Sequence, residues 1–157
     1  MATRKKTSTS NQIVNRRARF DYELADDIVA GISLTGPEVR SARDGHVQLK
    51  GSYVNVVKNE LWLVGASFSM KLNQRGQTDR TVDTSPRKLL LSRKQIDSLV
   101  AARKNGMTIV PTKLLTNGRY IKVVIALGKG KKLYDKRQSL KKRDQSRDVQ
   151  RAIKSYL

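Results

Sequence analysis

Two nine-residue, largely apolar runs, 107–115 and 119–127, are separated only by Thr116-Asn117-Gly118. Asn-Gly takes the positive φ that a tight antiparallel turn demands, and the β-branched content of both runs suits a pleated surface. The spacing therefore predicts a hairpin, and any fold for this chain has to be built around it. Pro111 has no N–H to give to a ladder, so its strand must lie at an edge or carry a bulge there.

Two further hairpins are expected. Tyr53-Val-Asn-Val-Val57 and Glu60-Leu-Trp-Leu-Val64 flank Lys58-Asn59. Upstream, Phe20, Tyr22 and Leu24 alternate with charged neighbours, and Ile28, Ala30, Ile32 and Leu34 resume the alternation after Ala25-Asp26-Asp27, which reads as two strands and a turn within 19–34. Helices have their own start signals. Thr35-Gly36-Pro37-Glu38 combines a capping Thr, Pro in the first turn and Glu three residues on, with Gly45 as the stop. Ser92 with Gln95 opens a second helix, whose Ile96, Leu99 and Val100 share a face before Asn105-Gly106 ends it. The polar stretch 69–85 reads as a mobile loop.

Six strands in three hairpins with two or three packed helices make the expected fold mainly β. A six-stranded antiparallel barrel of the oligonucleotide-binding (OB) type fits it best. Phe20, Tyr53 and Trp62 are expected in its core. Residues 1–12 are basic and polar and should be disordered, 13–128 form the barrel, and 129–157 form a disordered basic tail. In that tail Val149, Ile153 and Leu157 lie at i, i+4 and i+8, so it can turn helical against a polyanion.

Charge decides the class of partner. The 157 residues hold 33 Lys and Arg against 13 Asp and Glu, a net charge of +20, and such an excess favours nucleic acid. The cations also cluster, at Asn15-Arg-Arg-Ala-Arg19, at Arg87-Lys88, at Lys129, Lys131 and Lys132, and through the tail. One cluster is ordinarily a solvated face; three beside barrel strands, with a basic tail, point to phosphate contacts. Catalysis finds no foothold. There is no cysteine, and His46 is the one histidine, best read as a helix-end or surface residue. Asp26-Asp27 belongs to a turn, and Gly128-Lys-Gly-Lys-Lys132 lacks the spacing of a phosphate-binding loop. The expectation is a protein without enzyme activity, metal or cofactor. The N-terminus lacks the apolar stretch of a secretory signal, and the longest apolar window, 61–70, is half a membrane span, so a cytoplasmic protein is expected.

These segments together resemble the bacterial SsrA-binding protein family, also called small protein B. The resemblance rests on Asn15-Arg-Arg-Ala-Arg19, Ala30-Gly31, Leu34-Thr-Gly-Pro-Glu38-Val39, Ser52-Tyr53, Arg87-Lys-Leu-Leu-Leu91, Lys129-Gly-Lys-Lys132 and Asp135-Lys-Arg137, in family order from about residue 11 onward. It implies an OB-type barrel that binds the tRNA-like domain of transfer-messenger RNA (tmRNA). The family delivers that RNA, with elongation factor Tu bound through it, to the 70S ribosome stalled on a message without a stop codon. Carried over by position, the RNA-facing set is Asn15, Arg16, Arg17, Arg19, Lys88, Leu90, Lys129, Lys131 and Lys132. Tyr134, Asp135, Lys136, Arg137, Lys141, Lys142 and Arg143 would serve the small-subunit decoding centre and the empty mRNA channel, which the tail enters as a helix. Val29, Phe20, Ser85 and Pro86 stand where the family commonly has an acid, His, Arg and Thr.

Overall fold

The computed structural model describes residues 12–71 and 80–155. In chain order the elements are β1 (Gln12–Val14), α1 (Arg16–Asp21), β2 (Tyr22–Ile32), α2 (Gly36–Arg43), β3 (Val47–Gln48), β4 (Tyr53–Val57) and β5 (Glu60–Val64). They continue with β6 (Ser67–Lys71), β7 (Arg80–Asp83), β8 (Arg87–Leu90), α3 (Arg93–Lys104), β9 (Thr108–Leu115), β10 (Lys122–Gly130) and α4 (Leu133–Ser155). The fold is mainly β with helices, but it has ten strands and four helices among the described residues, where six strands and two or three helices are expected.

A seven-stranded antiparallel sheet runs β1-β9-β10-β2-β8-β5-β4, and β4 returns to pair with β9 at Val54 and Ile109. The sheet thus closes into a ring of six strands with β1 laid against β9. A second sheet, β3-β6-β7, flanks it. The ring encloses Val54, Leu61, Leu63, Leu89, Ile109, Leu114, Val123 and Ile125, and Leu99 of α3 and Phe68 of β6 join the same cluster. Each such side chain contributes about 1.5–3 kcal/mol on leaving water.

Where local chemistry dominates, the predicted elements form. The turn between β4 and β5 places Lys58 and Asn59 at φ of 48° and 59°, and the pairing runs from Tyr53↔Val64 to Val57↔Glu60. At the start of α2 the Thr35 N–H donates to Glu38 Oε2 at 2.7 Å, and at the start of α3 Ser92 N–H donates to Gln95 Oε1 at 3.2 Å. Strands β9 and β10 pair as expected, although the connection is longer than Thr116-Asn117-Gly118 and β10 starts at Lys122. Pro111 sits at a bulge. Lys113 faces Val124 and Pro111 faces Ile125, so Thr112 is the extra residue, and it bonds inward through its hydroxyl to Val124 O at 3.2 Å.

Elsewhere tertiary pairing overrides the local pattern. Residues 19–34 do not form a hairpin: β2 passes straight through Ala25-Asp26-Asp27, because β10 pairs with it from Gly31 to Tyr22. A bulge absorbs the irregular alternation, with Asp27 opposite Ala126 and Leu24 opposite Gly128. That leaves the two Asp side chains exposed on a strand. The stretch 69–85 is not all loop either. Lys71 pairs with Arg80 and Phe68 with Asp83, closing a hairpin whose centre, 72–79, lies outside the described residues. The expected disorder of 1–12 likewise falls outside them, except for Gln12, which pairs with Leu115. Tyr53 is 44 % exposed, and Trp62 and Phe20 are only half-buried. The core aromatic is instead Phe68, because Tyr53 and Trp62 alternate onto the outer face of their strands.

The tail differs most. Residues Leu133–Ser155 form one helix, α4, where a disordered segment is expected. The stretch contains neither Gly nor Pro and holds four Lys, four Arg and three Gln, all good helix formers, with Asp135 in its positively polarised first turn. The strand β10 also runs past residue 128 to Gly130, so Lys129 belongs to the sheet.

Candidate nucleic-acid interface

Asn15-Arg-Arg-Ala-Arg19 does not run directly into a strand; it builds a helix. Asn15 caps α1, its Oδ1 accepting from Ala18 N–H at 3.3 Å, and its Nδ2 donates to Leu49 O at 3.0 Å and Pro111 O at 2.9 Å. Its backbone N–H reaches Thr112 O at 2.7 Å. With 5 % of its surface exposed and its amide protons bound to the segment after β3 and to β9, Asn15 is a scaffold residue and not the RNA-facing side chain that is expected. The cap lifts Arg16, Arg17 and Arg19 onto the surface, where all three are exposed, and buries Ala18 beneath them.

The lysines of 129–132 arrive at the same place. Pairing of β10 with β2 sets Lys129 opposite Glu23 and Gly130 opposite Tyr22, directly after α1. Gly128 has no room for a side chain, since a Cβ would meet Tyr22 Cβ at 3.0 Å and Val110 Cγ2 at 3.2 Å, so β10 lies close against β2 and β9 here. Gly130 faces open space. The Lys131 N–H donates to Asp21 O at 2.9 Å, and its ammonium donates to Arg19 O at 3.0 Å across 112 residues of sequence. Two basic clusters from opposite ends of the chain thus form one surface. Lys132 completes it, exposed.

Asp21 lies beneath this surface, and residue patterns alone give no reason to single it out. Its Oδ2 accepts from Arg17 Nε at 2.8 Å, and its Oδ1 lies 3.1 Å from Lys136 Nζ of α4. Burial pushes its pKa up, but the hydrogen bond from Arg17 and the nearby charges of Lys136 and Arg17 outweigh this, holding the carboxyl below the ordinary 3.8. Knowing that 16–21 is helical would have exposed the Arg17–Asp21 pair as an i, i+4 contact. Six residues are too few for a hydrophobic period to show it.

Beside α1 runs an open groove of about 690 Å³, whose wall includes Arg16, Arg17, Phe20, Lys50, Leu140 and Arg143. The guanidinium carbons of Arg17 and Arg143 lie 5.1 and 5.9 Å from the Phe20 ring centroid. Phe20 and Lys50 join the surface only through tertiary structure.

The remaining expected residues are placed apart. Lys88 Nζ pairs with Glu60 Oε1 at 2.6 Å, and Leu90, 55 % exposed, lies opposite Gly31. That is the far end of β2 from Tyr22, roughly 30 Å along the strand. Arg87, offered by the sequence as part of a surface cluster, is instead 4 % exposed and bound to Glu38. Along α4, Tyr134 is 68 % exposed and its hydroxyl accepts from Gln138 Nε2 at 2.7 Å. Asp135, Arg137, Lys141, Lys142 and Arg143 are exposed, whereas Lys136 is half-buried against Asp21. His46 is exposed just after α2. Among the described residues no group of three or more His, Cys, Asp or Glu could hold a metal ion, and no helix is long and apolar enough to cross a membrane.

A family model described as SmpB protein matches residues 12–155. The chain belongs to the SmpB family. It is 46 % identical over 143 residues to the SsrA-binding protein of Trichormus variabilis, covering 90 % of this chain and 92 % of that one. To the SsrA-binding protein of Chloroflexus aggregans it is 43 % identical over 141 residues, covering 89 % of each. A solved structure described as "tmRNA-SmpB: a journey to the center of the bacterial ribosome" superposes with a TM-score of 0.61 at 36 % identity, over 79 % of this chain and 87 % of that one. Family membership thus spans the ring, the basic surface and α4 together.

Proposed function

We propose that this SmpB-family protein is a non-enzymatic RNA-binding adaptor of trans-translation in the bacterial cytoplasm. It binds the tRNA-like domain of tmRNA and brings it to stalled ribosomes, meeting elongation factor Tu only through that RNA. The six-stranded ring serves as an OB-type barrel. Relatives named for SsrA binding, and a structural neighbour that pairs tmRNA with SmpB at the ribosome, support the partner. One geometric observation carries the binding mode: the Lys131–Arg19 bond, which merges the cations of α1 with those leaving β10.

Arg16, Arg17, Arg19, Lys129, Lys131 and Lys132 hold phosphates on that surface, and Lys88 and Leu90 touch the RNA at the far end of β2. Contacts spread over roughly 30 Å suit a folded RNA recognised by shape. Asn15 supports these contacts from below. The α4 residues Tyr134, Asp135, Lys136, Arg137, Lys141, Lys142 and Arg143 work on the ribosome, where the helix occupies the decoding centre and the mRNA channel left empty.

Truncation after Lys132 separates the two roles, because no residue of α4 is buried. The shortened protein should retain tmRNA binding while losing peptide tagging on stalled ribosomes. Loss of RNA binding on truncation would refute this division. Sequencing the RNA that copurifies with the full chain tests the partner: enrichment of one tRNA-tipped RNA is expected, and a sample that mirrors total RNA would overturn it.

A further inference from the structure

We propose that the groove between α2 and the β6–β7 hairpin is a second RNA-binding surface, where the opposed side chains of Lys71 and Arg80, with Arg40 and His46, grip the phosphate backbone of an RNA strand. The ligand rests on the RNA reading above; the groove is built from residues outside the α1–β10 surface.

Strand register places like charges together. Lys71 is the cross-strand partner of Arg80, so both cations leave the same face of the hairpin. Like charges directly opposite one another destabilise an antiparallel pair. Both residues are exposed, and neither they nor Arg40 nor His46 has a side-chain hydrogen bond or ion pair among the described residues. Arg17, Arg87 and Lys88, by contrast, each have a carboxylate. Asp44 is the one acid that lines the groove among the described residues. A cation pair that the fold brings together without neutralising it is a local cost, and a bound anion removes that cost.

The surroundings hold these cations in place. Two adjoining cavities, of about 330 and 470 Å³, share His46, Ser69 and Arg80 in their walls, and the first also takes in Arg40 and Lys71. The buried Ser41 hydroxyl is shared between His46 O at 3.0 Å and Ser69 O at 2.8 Å, and Ser69 N–H donates to His46 O at 3.0 Å. One point thus ties α2, the start of β3 and β6, fixing Arg40 and His46 against the strand that carries Lys71. Among the described residues no Phe, Tyr or Trp lines either cavity, so the groove suits phosphates and not stacked bases. It also leads somewhere. His46, Gln48 and Lys50 are exposed while Val47 and Leu49 between them are buried, and Asn15 Nδ2 holds Leu49 O at 3.0 Å. An exposed line therefore runs from the groove to the start of α1, where Arg16 and Arg17 stand, and a strand bound there can follow it.

His46 is the one histidine of the chain, so its ring gives a single set of imidazole NMR signals inside the groove. A 24-nucleotide oligouridylate, titrated into the full chain at constant pH, should move those signals in step with binding measured by fluorescence anisotropy. Lys71→Gln with Arg80→Gln should abolish most of the movement and weaken binding about two- to thirtyfold, the size expected for two exposed charge contacts. Lys94→Gln with Lys104→Gln, a matched loss of charge at exposed sites on α3, should leave the His46 movement intact. In the free protein Lys71→Gln should hold or raise the urea midpoint, since it relieves the opposition with Arg80. A lowered midpoint with unchanged RNA affinity would make the pair structural and overturn the proposal. Stationary His46 signals under full RNA binding, or a Lys71/Arg80 variant that binds no more weakly than the α3 control, would overturn the groove and leave the α1 surface as the RNA site. Equal movement with inorganic phosphate at the same total phosphate would overturn the RNA strand as occupant. No binding of the oligouridylate by the parent would refute the RNA reading itself, and the groove's ligand with it.

Discussion

Glu38 and Arg87, 49 residues apart in sequence, meet at 2.8 Å with side chains 9 % and 3 % exposed. Glu38 Oε1 accepts from Arg87 while its Oε2 caps α2 through Thr35 N–H, so one carboxylate starts a helix and neutralises a buried charge. Arg87 also donates to Ala66 O, Ser85 O and Asp83 O and lies 3.4 Å from the Asp83 carboxylate, and its guanidinium stacks 4.0 Å from the Phe68 centroid. It thereby joins α2, β6 and β8.

Removing one partner should be costly. Glu38→Ala takes away the 2.8 Å partner of buried Arg87 and leaves it only the longer, 3.4 Å pair with Asp83, so the fold is expected to lose stability at the lower end of about 3–5 kcal/mol. Glu38→Leu with Arg87→Met should cost much less than Glu38→Ala, because desolvation of both charges disappears with them. Urea unfolding of the two variants checks this; equal losses would mean that the pair is not the source.

Asn15→Ala tests scaffold against contact. Loss of the α1 cap and of two buried amide bonds should cost about 2–3 kcal/mol. RNA affinity measured where the variant is still folded should fall less than in Arg19→Gln. A variant of parental stability that no longer binds RNA would return Asn15 to the interface.

Salt titration reports the number of phosphates held. Six contacts predict a log–log slope of roughly −4 to −5, and neutralising Lys129 or Lys132 should each reduce it by about 0.7–0.9. A slope unchanged in Lys132→Gln would remove that residue from the surface.

Asp21 has a pH signature. Its folded pKa lies below the ordinary 3.8, so its stabilisation is present at neutral pH and is lost as pH falls below that value through the folded one. The carboxyl carbon, followed by NMR, should titrate below 3.8 in the parent and move upward in Lys136→Gln. No movement would mean that Lys136 does not hold Asp21 in solution.

Much of the fold is legible wherever neighbouring residues decide it. The β4–β5 hairpin, the caps of α2 and α3 and the pairing of β9 with β10 depend on turn residues, on Glu or Gln three positions into a helix, and on alternation. The strand β8 and the second sheet are too short for any period to show. Arg87 looks like a surface cation because nothing near it in sequence announces Glu38. At the candidate site both basic clusters can be read from the chain, but not their meeting.

Local chemistry in the sequence therefore determines the two capped helices, two hairpins, a cation excess and the segments that mark the family. Only the tertiary structure decided that 22–32 is one strand, that Asn15 points inward, that 15–19 and 129–132 share a face, and that Asp21 holds α4. The reason is the same for all four. Three depend on β10 lying against β2 and the fourth, Asn15, on β1 lying against β9, pairings between residues roughly a hundred positions apart whose gain appears only once the ring has closed around its core.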